Sequence, residues 1–253
     1  QTRIKTPTEL EAMRVSGQML ATVLEVLTEK ASVGMTSKDL ADIAKYELRG
    51  LGGQPTFLGY QGFPDVLCVS VNDEVVHGIP SIGKVLADGD VVSMDFGVTY
   101  KGMVTDAATT TILGITRKKD QKLVDATRLS LEAAIDIMKN DVRIGDIGYA
   151  VQQVLEPAGY GIVRDLVGHG VGHALHEDPN IPNYGKAGSG QKLRTGMTVA
   201  IEPMATLGSH TVITNDDGWT IRTLDGSRAA HFEHTILITE TGAEVLTQLK
   251  DVR

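Results

Sequence analysis

Four carboxylates stand in stretches that are otherwise apolar. Asp95 lies in Val91-Val92-Ser93-Met94-Asp95-Phe96 and Asp106 in Met103-Val104-Thr105-Asp106-Ala107-Ala108. Glu202 follows Val199-Ala200-Ile201, and Glu233 sits within His231-Phe232-Glu233-His234-Thr235-Ile236. A carboxylate in an apolar strand loses its hydration and must be paired, protonated or bound to a metal. Any one of them alone reads equally well as a turn or edge acid with a local partner; four in matched settings do not. His169 is framed by Gly168-His169-Gly170-Val171-Gly172, and such glycines let the backbone approach closely and aim one side chain into a crowded site. Four carboxylates and an imidazole form a hard, oxygen-rich donor set, suited to two divalent ions (Mn, Fe, Co or Zn) and not to a single structural zinc. Paired ions need bridging carboxylates and bring the pKa of a bound water down towards about 7. The chemistry indicated is metal-assisted hydrolysis.

Other schemes find less support. His169, His173 and His176 have helical spacing, which leaves a helix-borne zinc pair as an alternative, but there is no His-Glu-x-x-His and three glycines in five residues disfavour a helix. There is no Gly-x-Ser-x-Gly elbow, and neither phosphate-binding glycine motif is present. Cys68, in the middle of a strand-like run, reads as a small buried hydrophobe before it reads as a nucleophile. The chain has 253 residues, 24 Lys+Arg against 32 Asp+Glu, and a net charge of −8, which argues against a binder of nucleic-acid backbone. No apolar run approaches the roughly 18 residues of a membrane span, and the first residues lack the apolar stretch of a secretory signal. A lone Cys excludes an internal disulfide and suits a reducing cytoplasm.

The elements that must position these groups read as α+β. Thr6, Pro7 and Glu9 make a capping box for a first helix whose Leu10, Met13, Leu20, Val23, Leu24 and Leu27 share one face. A second helix is expected from Thr36 to the glycines at 50–53. Val66–Val71 and Glu74–Ile79, joined by Asn72-Asp73, read as a hairpin. Strands are expected at Asp90–Val98 and Met103–Leu113 around a Lys101-Gly102 turn, helices at Lys118–Lys139 and Ile147–Leu155, and strands with Gly-rich turns from Val163 onward. Leu86-Ala87-Asp88-Gly89-Asp90-Val91-Val92-Ser93-Met94-Asp95 is echoed by Leu193-Arg194-Thr195-Gly196-Met197-Thr198-Val199-Ala200-Ile201-Glu202, 107 residues on. The helical stretches near Val33 and Val142 repeat at nearly the same offset. The chain is therefore expected to be one catalytic domain over 1–253, made of two halves at about 6–114 and 115–249 that bring equivalent acids face to face.

From Thr6 to Leu246 the chain resembles the bacterial type I methionine aminopeptidases, which have the pita-bread fold. The resemblance is carried by Val75-Val76-His77-Gly78-Ile79-Pro80, by Asp95 and Asp106, by Gly168–Gly172, by Ile201-Glu202-Pro203-Met204 and by Glu233-His234-Thr235. It implies two pseudo-symmetric halves with a central antiparallel sheet covered by helices. It also implies removal of the initiator methionine before a small second residue, through a hydroxide held between two divalent ions. Asp95, Asp106, His169, Glu202 and Glu233 match the ligands, with Asp106 and Glu233 as bridges and Glu202 also as general base. His77 and His176 match histidines beside the scissile peptide, His77 towards the amide nitrogen and His176 towards the carbonyl oxygen. Tyr60, Phe63, Cys68 and Trp219 match the wall of the methionine pocket. Gly97, His173 and Leu175 depart from the family pattern, standing where Thr, Arg and an aromatic residue occur. The partners implied are N-terminal Met peptides and nascent chains at the ribosome, with the protein a cytoplasmic monomer that has no direct nucleic-acid specificity and no membrane partner. A proline-specific relative would carry a further N-terminal domain, and a metal-free binding module would lack ligands. Gln1 is expected to mark a truncated or renumbered start, without the zinc-finger extension of eukaryotic forms.

Overall fold

Thr6 opens the first helix with the box expected of it: its hydroxyl accepts the Glu9 N–H at 3.3 Å and the Glu9 carboxylate accepts the Thr6 N–H at 2.7 Å. The computed structural model describes residues 3–250, so Gln1 lies outside the described residues. Helix α1 (Pro7–Lys30) is followed by α2 (Ser37–Leu51), β1 (Gln54–Pro55), β2 (Leu67–Val71), β3 (Glu74–Val76), β4 (Val91–Tyr100) and β5 (Met103–Ile112). Then come α3 (Lys118–Asp136), α4 (Ile144–Leu155), β6 (Gly161–Ile162), β7 (Gly168–Gly170), β8 (Glu177–Ile181) and β9 (Thr198–Ile201). The chain continues with β10 (Met204–Thr206), β11 (Val212–Thr214), β12 (Ile221–Thr223), β13 (Ala229–His231), β14 (His234–Ile238) and β15 (Ala243–Val245).

Among the described residues every strand ladder is antiparallel. On one side β4 carries β5 along one edge and β1 and β2 along the other; on the other side runs β15-β14-β9-β7-β8. The two sheets meet where Ala108 and Glu233 exchange backbone hydrogen bonds of 3.2 and 3.0 Å, and where the Thr235 hydroxyl accepts the Asp106 N–H and donates to its carbonyl. Helices α1 and α2 bury Leu20, Val23, Leu27, Leu40 and Leu48 against β2, β4 and β5. Helices α3 and α4 bury Leu123, Leu131, Ile147, Val151 and Leu155 in a second core with β9 and β14. Each half thus has its own core, and the seam between them is where the acids lie.

The sequence echo is an echo of hydrogen bonds. Gly34 donates to Leu86 O and Leu86 to Met35 O; 107 residues later Asp141 donates to Leu193 O and Leu193 to Val142 O. Ser37 to Lys84 O likewise recurs as Ile144 to Gln191 O, and the offset is the one between Asp95 and Glu202.

Three expected elements differ. The Asn72-Asp73 turn exists, but its strands join different sheets: β2 ladders onto β4 and β3 onto β12. The turn's backbone is claimed elsewhere, with Asn72 N–H donating to Val91 O, Thr223 N–H to Asp73 O and Ala229 N–H to Asn72 O. Helix α4 starts at Ile144, three residues early, because a Cβ on Gly145 or Gly148 would lie 2.4 Å from Lys186 O or Tyr184 O. These glycines let the helix pack closely on the 182–189 loop, which overrides their weak helix propensity. Helix α3 stops at Asp136 because Asn140 and Asp141 donate to Thr239 O and Leu193 O.

Candidate functional site

Asp95 and Asp106 point from the middle of the β4–β5 ladder, where Asp95 is opposite Cys68 of β2 and Ala108 of β5, and Asp106 is opposite Gly97. Glu202 follows the last residue of β9, and Glu233 stands at the seam between β13 and β14. His169 is the central residue of β7, and its flanking glycines have a direct reason. A Cβ on Gly168 would meet Ala200 O at 2.4 Å, and one on Gly170 would meet Asp178 O at 2.2 Å. The His169 Nδ1 is 2.9 Å from the Gly170 carbonyl, which only accepts, so Nδ1 carries the hydrogen. Nε2 is left with its lone pair facing Glu202 Oε1 at 3.3 Å and Asp106 Oδ2 at 4.0 Å. That tautomer is the one a metal ligand needs.

Burial pushes Asp95 up to about 7. Asp106, Glu202 and Glu233 are held well above the usual carboxylate range, first by burial and then by neighbouring carboxylate charge, Asp95 acting first on Asp106 and Glu202 and Asp106 acting first on Glu233. Burial lowers His169 and His77 to about 4, so both rings are neutral at pH 7. Donor atoms of Asp106, His169 and Glu233 lie within 4.8 Å of one another. Asp95 Oδ1, Asp106 Oδ1 and Glu233 Oε1 are buried without a hydrogen-bond partner. Buried anions that repel one another and lack donors are relieved by a cation.

A cavity of about 170 Å³ opens from this cluster and is lined by the eleven residues assigned above to the ligands, the scissile peptide and the pocket wall: Tyr60, Phe63, Cys68, His77, Asp95, Asp106, His169, His176, Glu202, Trp219 and Glu233. The aromatic wall is continuous. Phe57 meets Phe63 edge to face at 6.5 Å, Phe63 meets Trp219 at 5.1 Å, and Trp219 meets His77 at 6.4 Å. His77 is held in the left-handed region at φ 59, a conformation that costs a non-glycine residue energy and is found at functional positions. The Tyr60 hydroxyl is 2.7 Å from His176 Nδ1, and the His169 and His176 rings lie 4.3 Å apart.

Three features went unread in the sequence. Phe57 and Gln61 line the cavity. The Phe57 ring occupies the space that a Cβ on Gly97 would take, at 2.6 Å, so Gly97 and Phe57 are complementary in shape. His231 is buried beside Glu233, Nε2 to Oε2 3.9 Å, with neither ring nitrogen hydrogen-bonded. An aromatic in a loop and a histidine in a strand carry no spacing signal. The helix-borne histidine pair does not form: His169 is in a strand, and His173 turns away to Glu9 and Glu177.

Residues 11–240 match the profile of metallopeptidase family M24. The methionine aminopeptidase of Clostridium acetobutylicum is 43% identical over 244 residues, covering 96% of this chain and 98% of the relative. Methionine aminopeptidase 1 of Bacillus subtilis is 44% identical, covering 97% and 98%. The crystal structure of the methionine aminopeptidase of Thermotoga maritima superimposes with a TM-score of 0.97 at 48% identity, covering 98% of this chain and all of that one. With a pita-bread fold, a buried cluster of carboxylate and imidazole donors and relatives matched over nearly its whole length, the chain belongs to metallopeptidase family M24, among the type I methionine aminopeptidases.

Proposed function

We propose that the cavity binds the N-terminal methionine of a peptide and hydrolyses the bond after it when the second residue is small. The observation that carries this reading is the convergence of the carboxylate–imidazole cluster, the two histidines His77 and His176, and the aromatic wall on one cavity. The unpartnered buried oxygens of Asp95, Asp106 and Glu233, with the free Nε2 of His169, fit divalent cations. Asp95, Asp106, His169, Glu202 and Glu233 would hold two of them, Asp106 and Glu233 as bridges. When bound, such ions supply a water acidic enough to react at neutral pH and neutralise the crowded acids. Cobalt, manganese, iron and zinc all suit the donor set.

Glu202, pushed up by burial and by Asp95, is placed to take the proton of the attacking water. His77 and His176 both have lowered pKa values, chiefly from burial, and act as neutral rings. The role assigned to His176 puts its hydrogen on Nε2, offered to the carbonyl oxygen as charge develops there, and Nδ1 then accepts from the Tyr60 hydroxyl 2.7 Å away. His77 is assigned to the amide nitrogen. Phe63, Cys68, Trp219 and the ring of Tyr60 give the thioether an apolar, polarizable wall.

The same reading takes 1–253 as one catalytic domain with halves at about 6–114 and 115–249. It works as a cytoplasmic monomer on nascent chains at the ribosome. Among the described residues no helix is long and apolar enough to cross a membrane. The test is to incubate metal-loaded protein with Met-Ala-x and Pro-x peptides and measure the released amino acid. Methionine release is expected, together with its loss in Glu202→Ala. Cleavage before proline, or full activity in that variant, overturns the assignment.

A further inference from the structure

We propose that Lys5 is a positioning residue for His176, its buried ammonium holding in place the turn that presents His176 and Leu175 to the cavity. The Lys5 side chain is completely buried, and its Nζ lies 2.6 Å from Glu177 Oε2. The other oxygen of Glu177 accepts the backbone N–H groups of His173 at 2.5 Å and Ala174 at 3.1 Å, so this carboxylate closes the turn between β7 and β8. Burial raises the Glu177 carboxyl, but Lys5 and the two N–H groups outweigh that and hold it below its ordinary value. The lysine stem also fits the turn in shape, since a Cβ on Gly172 would lie 2.4 Å from Lys5 Cε. A second tie comes from the same segment: Glu9, in the first turn of α1, holds His173 Nε2 at 2.8 Å. Lys5 is itself fixed by its N–H donating to Gly196 O at 2.9 Å, in the turn before β9.

Leu175 packs in the cavity wall, and His176 follows, its ring held by the Tyr60 hydroxyl and packed against the His169 ring. The ring's position therefore depends on the shape of the turn. A displacement of about 1 Å in a reacting group costs up to roughly a hundredfold in rate. A buried ion pair is weak evidence for stability, because apolar replacements of similar volume often substitute for it. Removing the charge therefore separates a positioning role from a structural one.

The kinetic half of the test rests on the function proposed above; the spectroscopic half does not. Lys5→Met, Lys5→Arg and Glu177→Gln are compared with the wild type for Met-Ala-x cleavage, for metal binding by calorimetry and for the ring signals of ¹⁵N-labelled histidines in the metal-free protein. Lys5→Met and Glu177→Gln are expected to lower kcat by roughly ten- to a hundredfold with KM within about threefold, the pattern of an interaction lost in the transition state. Metal stoichiometry is expected to stay unchanged, the His176 ring signals to move while those of His231 do not, and Lys5→Arg to restore most of the rate. A folded Lys5→Met protein with wild-type His176 signals, or with kcat within about twofold of wild type, overturns the proposal. Should Lys5→Met not fold, the isosteric Glu177→Gln carries the same readouts. If the wild type releases no methionine, the functional reading fails, and the His176 signals still decide the role of Lys5.

Discussion

In the first half the chain passes from Asp95 to Asp106 through the two-residue Lys101-Gly102 turn; in the second, residues 203–232 separate Glu202 from Glu233 and fold into β10 to β13. The shared frame is the turn–glycine–strand unit that leads to an acid, with Gly89 and Gly196 both at positive φ before β4 and β9. The neighbouring strands differ. Ser93 of β4 faces Ser70, whereas its counterpart Ala200 of β9 faces His169. The frame common to both halves delivers paired acids to the seam. What one half adds, an imidazole and the β11–β12 hairpin whose loop carries Trp219, supplies the nitrogen donor and part of the pocket wall.

The sharpest way to break this comparison is to remove the equivalent acids. Asp95→Asn and Glu202→Gln are each expected to lower methionine release by more than about a hundredfold, beyond what loss of an outer-shell partner does. Each is also expected to weaken divalent-metal binding measured by calorimetry. Near-normal activity and metal binding in either variant would show that the two positions are not functionally paired. Trp219 belongs to the addition and not to the frame, so Trp219→Ala has a different signature. It is expected to lower kcat/KM for Met-Ala-x by roughly ten- to a hundredfold, the value of about 1.5–3 kcal/mol of apolar contact. Metal affinity and melting temperature should change little, and a collapse of metal binding would move Trp219 into the frame.

The frame was legible because it is local. Thr6 and Glu9 are three residues apart, the Asp95 and Asp106 strands flank a turn of two, and the 107-residue echo needs only matching segments. The unread contacts span much longer separations. Tyr60 meets His176 across 116 residues and Lys5 meets Glu177 across 172, distances over which residue type says nothing about proximity. The Asn72-Asp73 turn misled for the same reason, since its local signal was sound and the ladders that claimed its strands lay elsewhere. The residues that line the cavity were named through family motifs; the shape fit of Phe57 over Gly97 was not, because it depends on the space a missing Cβ leaves.

A smaller effect tests how closely the frame repeats. Gly34 has φ 91 with open space around it, and its counterpart Asp141 has φ 72. Gly34→Ala meets no clash, so its cost is the backbone alone, about 1–2 kcal/mol in urea unfolding. Asp141→Gly removes the corresponding strain and also the exposed pairs with Arg194 and Lys192. Such pairs are worth about 0–1 kcal/mol, so a change within about 0.5 kcal/mol of zero is expected. Equal destabilisation by both substitutions would mean that Asp141 is held by its ion pairs and not by the repeated turn.

The smallest effect separates the two helix starts. The third residue of α1, Glu9, closes the capping box, whereas the corresponding acid of α3, Asp120, is buried and bound by Arg117 and Arg228. The Thr6 N–H, then His173, then the Thr6 hydroxyl lower Glu9 from 4.5 to about 2. A depressed folded pKa means that the unfolded chain binds the proton more readily between those values. Stability from the Glu9 charge is therefore full above about pH 4.5 and is lost as the pH falls towards about 2. Glu9→Gln is expected to lower the melting temperature at pH 6, with the gap to wild type closing as the pH approaches 2.5. Because Glu9 also holds His173, the same substitution tests the tie to the His176 turn: the His173 ring signal should move at pH 6 together with the melting temperature. A gap that persists unchanged at low pH would show that Glu9 acts through the shape of its side chain, and the contrast with Asp120 would then reduce to burial alone.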